Sequence, residues 1–231
     1  MARGINLRPR LHAAAALLGQ QHTVADIGCD HGRLSIALLQ QGFCQHVIAT
    51  DVGQQPLKRA QTLRNLCGME SRMELRLGDG FGPIRPGEVQ AAAICGMGGT
   101  LMSRILEDCV PPLKGAALLV LQPMRAVADI RSYLFFHCYR VVDDVVVRDA
   151  GRLYQVFSVV ANQQDILPAG WPEGFFDLGH RALESRSPLF LPLLEQMLGQ
   201  HRARLLEASG TCGALPLEQK IQALEQIRAM W

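Results

Sequence analysis

The sequence predicts an α/β fold: a seven-stranded, mostly parallel sheet with helices on both faces, followed by a C-terminal antiparallel helical hairpin. Three observations carry this. Short apolar runs alternate with helical periodicity from residue 23 to residue 137, the pattern of a parallel sheet covered on both sides. Two long β-branched runs, 139–147 and 152–161, then flank Arg148-Asp149-Ala150-Gly151, a hairpin signal that places an antiparallel strand near the sheet edge. From residue 192 onward, apolar residues recur every three or four positions in two stretches, as in a pair of amphipathic helices.

The elements follow in order. Residues 6–20 read as a short helix, with Asn6 as its cap and Leu11, Ala14, Ala15 and Leu18 on one face. Residues 23–27 form a strand that ends at Gly28, and 32–41 a helix with Leu34, Ala37 and Leu38 facing inward. A second strand, 46–50, ends at Asp51, and the helix 55–67 stops at Gly68, a residue type suited to the position after a helix. Residues 72–77 alternate Met73, Leu75 and Leu77 with Arg72, Glu74 and Arg76, as a half-exposed strand does. Buried strands at 90–95 and 116–121 precede helices at 100–108 and 126–137. After Ala161 the periodicity weakens through residue 188, and the helices 192–208 and 217–231 close the chain. The division is a Rossmann-like domain over 1–161 and a linker with a helical extension over 162–231.

The 231 residues are 48% hydrophobic and 19% charged, a globular profile that excludes a disordered or fibrous chain. Net charge is +2, but residues 1–161 carry 17 Lys+Arg against 13 Asp+Glu, while 162–231 carry 6 against 8. A mildly basic first part is compatible with a nucleic-acid partner. The seven cysteines are scattered with no CxxC pair, which argues against a zinc site or a disulfide framework and suits a reducing cytosol. No apolar run reaches the roughly 18 residues of a membrane span. The expectation is a soluble cytoplasmic protein without a metal, its oligomeric state left open.

Chemistry concentrates at the ends of the predicted strands. In Asp26-Ile27-Gly28-Cys29-Asp30-His31-Gly32, a strand ends, Gly28 permits a tight turn and a helix begins. The spacing is G-x-x-x-G rather than the G-x-G-x-x-G that a dinucleotide prefers. Asp26 before the turn suits a cation, such as the ammonium of S-adenosylmethionine. Asp51 stands 23 residues after Gly28, where a carboxylate accepts hydrogen bonds from ribose hydroxyls. Gly78-Asp79-Gly80 after the third strand offers Asp79 to an adenine amino group. Cys95-Gly96-Met97-Gly98-Gly99-Thr100 is read as an open glycine rim with Met97 as one wall, at the sheet edge where α/β proteins bind ligands. Gln122-Pro123 ends the fifth strand on that edge, with Gln122 placed to contact a base. Asp30 is the best-placed carboxylate to orient a nucleophile or accept a proton, with His31 beside it. Arg3, Arg8, Arg10 and Arg33 are candidates for holding phosphate. These residues alone leave open an acceptor that is a small molecule or a protein, or a nucleotide-binding module without turnover.

Together these segments resemble the class I S-adenosylmethionine-dependent methyltransferases. More narrowly, they are similar to the bacterial tRNA adenine-N1 methyltransferases that act on adenine 22 of the D-arm. The segments are Asp26 to His31, Ala49-Thr50-Asp51-Val52, Leu77-Gly78-Asp79-Gly80, Cys95 to Leu101 and Leu121-Gln122-Pro123. The resemblance spans nearly the whole chain and implies an S-adenosylmethionine donor and a tRNA acceptor. The family's acidic residue before the histidine of this segment falls on Asp30, which the resemblance makes the catalytic carboxylate. Asp26, Gly28, Asp51, Asp79, Gly80 and Gly96 fall on the donor side, and Arg10, His31, Met97, Gly98, Gly99, Gln122 and Pro123 on the acceptor side. The chain departs from the family pattern at Pro9-Arg10, at Gly32-Arg33 and at Tyr154-Gln155.

Overall fold

A computed structural model describes residues 4–107, 118–208 and 214–231. Its strands are β1 (Gln21–Ile27), β2 (Cys44–Asp51), β3 (Met73–Leu77), β4 (Ala91–Gly98), β5 (Leu118–Arg125), β6 (Tyr139–Asp149) and β7 (Arg152–Ala161). They form one sheet in the order β3-β2-β1-β4-β5-β7-β6. The first five are mutually parallel, and β7 pairs antiparallel with both β5 and β6. The chain therefore builds outward from β1 to β3, then crosses back to β4. That reversal leaves a crevice between the carboxyl ends of β1 and β4.

The helices are α1 (Pro9–Leu18), α2 (Arg33–Gln40), α3 (Gln54–Leu66), α4 (Gly99–Glu107), α5 (Val127–Phe136), α6 (His180–Glu184), α7 (Phe190–Ala208) and α8 (Ala214–Met230). Successive strand residues point to opposite faces, and the two cores divide accordingly. Val24, Ala93, Val120 and Val156 join Ala14, Leu18 and Leu38 of α1 and α2 in one cluster. Their neighbours Ala25, Ile94, Leu121 and Phe157 join Met102, Ile105 and Ile130 of α4 and α5 in the other. Complete burial of a side chain such as Leu18 stabilises the fold by roughly 1.5–3 kcal/mol. A third cluster gathers Trp171, Phe175, Phe190, Leu194, Leu224 and Ile227 and reaches the sheet through Val146. The hairpin of α7 and α8 thus packs on its own apolar stripe, with Arg202–Glu225 and Arg228–Glu195 ion pairs across it.

Several boundaries differ from the sequence reading. Helix α1 begins at Pro9 with Arg8 as its N-cap, so Asn6 is not the cap; the ring of proline fits the first helical position and ends the competition. Gly32 is left-handed and precedes α2, so Asp30 and His31 lie in a turn. The expected rim 96–99 is not a loop. Met97 and Gly98 continue β4 against Pro123 and Arg125 through two register shifts, and Gly99 opens α4. Strand β5 likewise runs past Gln122-Pro123. The linker contains the short helix α6. Residues 116 and 117 of the expected strand 116–121, Arg3, and the expected helix end at residue 108 lie outside the described residues.

Gly99 is required by a close approach: a Cβ there would overlap the Ala126 carbonyl and crowd Ile130. Gly99→Ala is expected to destabilise the fold by roughly 1–3 kcal/mol, seen as a lower urea midpoint with an unchanged slope; an unchanged midpoint would contradict this contact.

Candidate ligand cleft at the carboxyl edge of the sheet

The end of β1 is stitched to β2 before any side chain is considered. Gly28 has φ 70°, a left-handed conformation that favours glycine. The Gly28 and Cys29 N–H groups donate to the Thr50 carbonyl at 2.8 and 2.9 Å. Asp30 follows at φ 50°, which aspartate tolerates better than most residues, and its N–H donates to Asp51 Oδ2 at 3.1 Å. Asp51 Oδ1 accepts from the Gly53 N–H at 2.8 Å. The third loop joins the same point: Gly78 N–H donates to the Asp51 carbonyl at 3.0 Å, and the Thr50 hydroxyl donates to the Gly80 carbonyl at 3.2 Å. The loops after β1, β2 and β3 therefore converge on Thr50-Asp51. Each carboxylate oxygen of Asp51 keeps a lone pair for a further donor, as a pair of vicinal hydroxyls requires.

Asp26 lies one residue before the end of β1 and is only 3% exposed. Ser35 of α2 donates its hydroxyl to Asp26 Oδ2 at 2.5 Å. Burial pushes the Asp26 carboxyl up to about 6, against the Ser35 hydrogen bonds that hold it down; the nearby Asp51 charge adds to the rise. Burial also pushes the Cys29 and Cys95 thiols up, so neither is a thiolate nucleophile at neutral pH.

A cleft of about 460 Å³ opens between the N-terminal segment and the ends of β1 and β4. Leu7, Arg8, Arg10 and Leu11 form one wall, with Asp26, Gly28, Cys29, Cys95, Gly96 and Met97 deeper and Asp30, His31 and Arg33 alongside. Gly96 has φ 80°. A Cβ on Gly28 would collide with Met97 Cε, so the Met97 thioether lies over the glycine turn. Asp30 Oδ2 stands 2.6 Å from His31 Nδ1, and His31 Nε2 is 3.3 Å from an Arg59 nitrogen.

The structure thus brings Asp26, Gly28, Asp30, His31, Arg10, Gly96 and Met97 to one cleft and ties Asp51 and, through Gly78 and Gly80, the loop that carries Asp79 to its rim by hydrogen bonds. Asp79 is exposed, 4.0 Å from Arg104. The remaining sequence candidates stand apart. Gly98 lines a neighbouring cleft with Arg104 and Arg125, and Gly99 is buried beneath Ala126. Gln122 is fully buried. Its amide oxygen accepts from Arg10 and its amide nitrogen donates to the Pro123 carbonyl and to Met124 Sδ, so, buried as it is, it offers no N–H donor to a base. Pro123 faces a third cleft beside Met124, Tyr154 and Lys220. Sequence reasoning missed Ser35 and Asp149. A polar residue inside the apolar run 34–39 is the available signal for Ser35; Asp149 belongs to the hairpin signal in the sequence, but it is buried beside Arg10 at 3.3 Å. Among the described residues no group of three His, Cys, Asp or Glu is placed to hold a metal ion, and no helix is long and apolar enough to cross a membrane.

Comparison with known proteins places this geometry. A family model described as a methyltransferase domain matches residues 7–157. The tRNA (adenine(22)-N(1))-methyltransferase of Bacillus subtilis is 30% identical over 229 residues, covering 96% of this chain and 93% of that protein. The crystal structure of Sp1610 from Streptococcus pneumoniae, described as a candidate tRNA (m1A22) methyltransferase, superposes with a TM-score of 0.87 at 27% identity over 96% of this chain and 99% of that one. Its complex with S-adenosyl-L-methionine superposes at 0.83, with 28% identity over 94% and 97% of the two chains.

The elevated Asp26 carboxyl carries a stability signature. Between the ordinary value of 3.8 and about 6, the unfolded chain has released this proton while the folded protein still holds it, so rising pH costs stability across that window and no further above it. Asp26→Asn removes the titration. Relative to wild type, its stability is expected to rise from pH 4 to pH 6 by on the order of 1.4 kcal/mol per unit of pKa difference, measured by urea unfolding at each pH; a constant difference would contradict the assignment.

Proposed function

The chain belongs to the methyltransferase-domain family and, within it, to the relatives of the tRNA (adenine(22)-N(1))-methyltransferase, and on that premise we propose that it methylates N1 of adenine 22 in the D-arm of tRNA, with S-adenosylmethionine as donor. The observation that supports the reading most is the convergence of three strand-end loops on Asp51 beside a cleft that also holds the buried Asp26.

The residues present fit the donor. Asp51 has acceptor capacity left for the ribose hydroxyls, and Asp79 on the next loop is placed for the adenine amino group. Glycine at 28 leaves room for the Met97 thioether over the turn, and glycine at 96 keeps the cleft free of a side chain at the end of β4. Asp26 presents a buried carboxylate to the ammonium; Ser35 and the incoming positive charge both favour its ionised form. The donor supplies an electrophilic methyl group on a sulfonium.

The protein's part is then to position an adenine edge that is covered by pairing or stacking in folded tRNA. Turning the base out costs a few kcal/mol. Aligning the two reacting atoms is the larger source of acceleration. Asp30 accepts a hydrogen bond from the exocyclic amine and balances the positive charge that N1 methylation places on the ring. His31, with Nδ1 facing Asp30, orients that carboxylate. Met97 lines the slot. The exposed Arg8 and Arg33 hold phosphate at the mouth, a contribution that weakens with salt. Gly98, Gly99, Gln122 and Pro123 act by shaping the edge, given where they sit.

Incubation with unmodified tRNA and donor is expected to yield N1-methyladenosine at position 22, identified by nucleoside analysis of mapped fragments. Asp30→Asn is expected to lower turnover at least about tenfold with donor affinity retained. Methyl groups on another nucleoside, or equal rates for Asp30→Asn, would contradict the respective assignments. Asp51→Ala is expected to weaken S-adenosylhomocysteine binding roughly tenfold or more, measured by calorimetry; unchanged affinity would remove Asp51 from the ribose.

A further inference from the structure

The cleft that holds Asp26 ends at Met97, and the next residue of β4 belongs to a different surface. Gly98 lines a neighbouring open cleft of about 780 Å³, together with Arg104 and Glu107 of α4 and Arg125 at the end of β5. The hydroxyls of this second cleft are already engaged: Thr100 donates to Asp129 Oδ2 at 2.6 Å, and Ser103 donates to the Gly99 carbonyl at 3.2 Å. The side-chain donors left for a ligand are two guanidinium groups, and Glu107 is the acidic residue of the lining.

Both groups are loosely held. The Arg104 side chain is 64% exposed and stands 4.0 Å from an equally exposed Asp79 carboxylate, a pairing worth little in water. Arg125 is exposed and, among the described residues, has no hydrogen bond or ion pair. Its position is set by the backbone instead. Arg125 is the register partner of Gly98 across β4 and β5, and a Cβ on Gly98 would stand 3.3 Å from Arg125 Nε and 3.6 Å from its Cγ. The side chain therefore lies across a bare glycine, at the border between the two clefts. Two unspent guanidinium forks on one open concavity match the oxygens of a phosphate.

Resting on the acceptor reading above, we propose that Arg104 and Arg125 bind the 5′ phosphate of the very adenosine that receives the methyl group. The base of that nucleotide brings N1 to the donor past Met97, so its own phosphate leaves the site one nucleoside away, where Gly98 and Arg125 border the second cleft. Arg8 and Arg33 line the donor cleft itself and serve other phosphates. Arg104 and Arg125 are positioning residues: they hold the turned-out nucleotide in register and take no part in the transfer.

The test uses the full chain with S-adenosylhomocysteine bound and two full-length unmodified tRNAs. One has an ordinary backbone; the other carries a neutral methylphosphonate at the 5′ phosphate of adenosine 22. Wild type is expected to bind the second about fivefold or more less tightly at low salt. Arg104→Gln and Arg125→Gln are each expected to weaken binding of the first tRNA by a similar factor, and to lower the slope of log affinity against log salt by about 1. On the second tRNA they are expected to lose little further, because the charge they meet is already gone. Arg125→Lys is expected to keep the slope and recover part of the affinity. Affinity for S-adenosylhomocysteine, measured by calorimetry, is expected to stay at the wild-type value. A further loss on the second tRNA equal to that on the first would place the arginines on another phosphate, and unchanged tRNA affinity would make them solvated surface charges; both overturn the proposal. Loss of S-adenosylhomocysteine affinity in both Gln variants overturns it as well, by moving them to the donor. Wild type that transfers no methyl group to adenine 22 overturns the acceptor reading itself. Wild type that methylates this adenine but binds both tRNAs equally overturns the phosphate contact alone.

Discussion

Everything at the carboxyl edge of this sheet hangs on one dipeptide, Thr50-Asp51. Parallel strands end with carbonyl and N–H groups that the ladder no longer pairs, and a buried unpaired group costs about as much as a lost hydrogen bond. Here the end of β2 answers for its neighbours on both sides. The Thr50 carbonyl takes the two N–H groups of the Gly28-Cys29 turn, and the Asp51 carbonyl takes that of Gly78. The Asp51 carboxylate then holds Asp30 in its left-handed turn. Remove that anchoring and the loops after β1 and β3 lose their common reference, so the site is a property of the sheet's topology before it is a property of any one side chain.

Buried charge is the second organising feature. Asp26 is buried within the sheet and, among the described residues, has only Ser35 as a side-chain hydrogen-bond partner, a placement that raises its proton affinity and suits a cation. Arg131 of α5 pairs with Asp144 at 2.7 Å and lies 4.1 Å from the Phe157 ring centroid, fastening β6 and β7 to the helical layer. Breaking such a pair from one side is strongly destabilising, because the remaining charge stays buried. Gln155 on β7 accepts from Arg131 and donates to the Asp177 carbonyl, and Lys220 of α8 binds the Asp177 carboxylate. A polar chain therefore runs from the sheet to the C-terminal hairpin, beside the apolar contacts at Val146.

Much of this was legible in the residues. Alternating apolar strands and periodic helices gave the seven-stranded order of elements, and the Asp26-to-Gly32 segment, Asp51 and Gly78-Asp79-Gly80 marked the strand ends that the structure ties together. What could not be read was long-range. Gly96-Met97-Gly98 has poor strand propensity, yet β5 pairs with it through two register shifts, since sheet formation follows neighbours more than intrinsic preference. The need for glycine at 99 comes from the Ala126 backbone, far away in sequence. Gln122 lies in a strand buried on both faces, where no alternation reveals direction. Asp149 shares a tetrapeptide with a turn signal, and only the fold brings Arg10 beside it.

The central claim is that the loops after β1, β2 and β3, together with the end of β4, make one donor pocket centred on Asp51 and Asp26. A crystal structure of the protein with S-adenosylhomocysteine tests it most directly. The account predicts both ribose hydroxyls on the Asp51 carboxylate and the ammonium near Asp26. A ligand seated in the clefts beside Arg125 or Lys220 instead, or no density between β1 and β4 at saturating concentration, would contradict it.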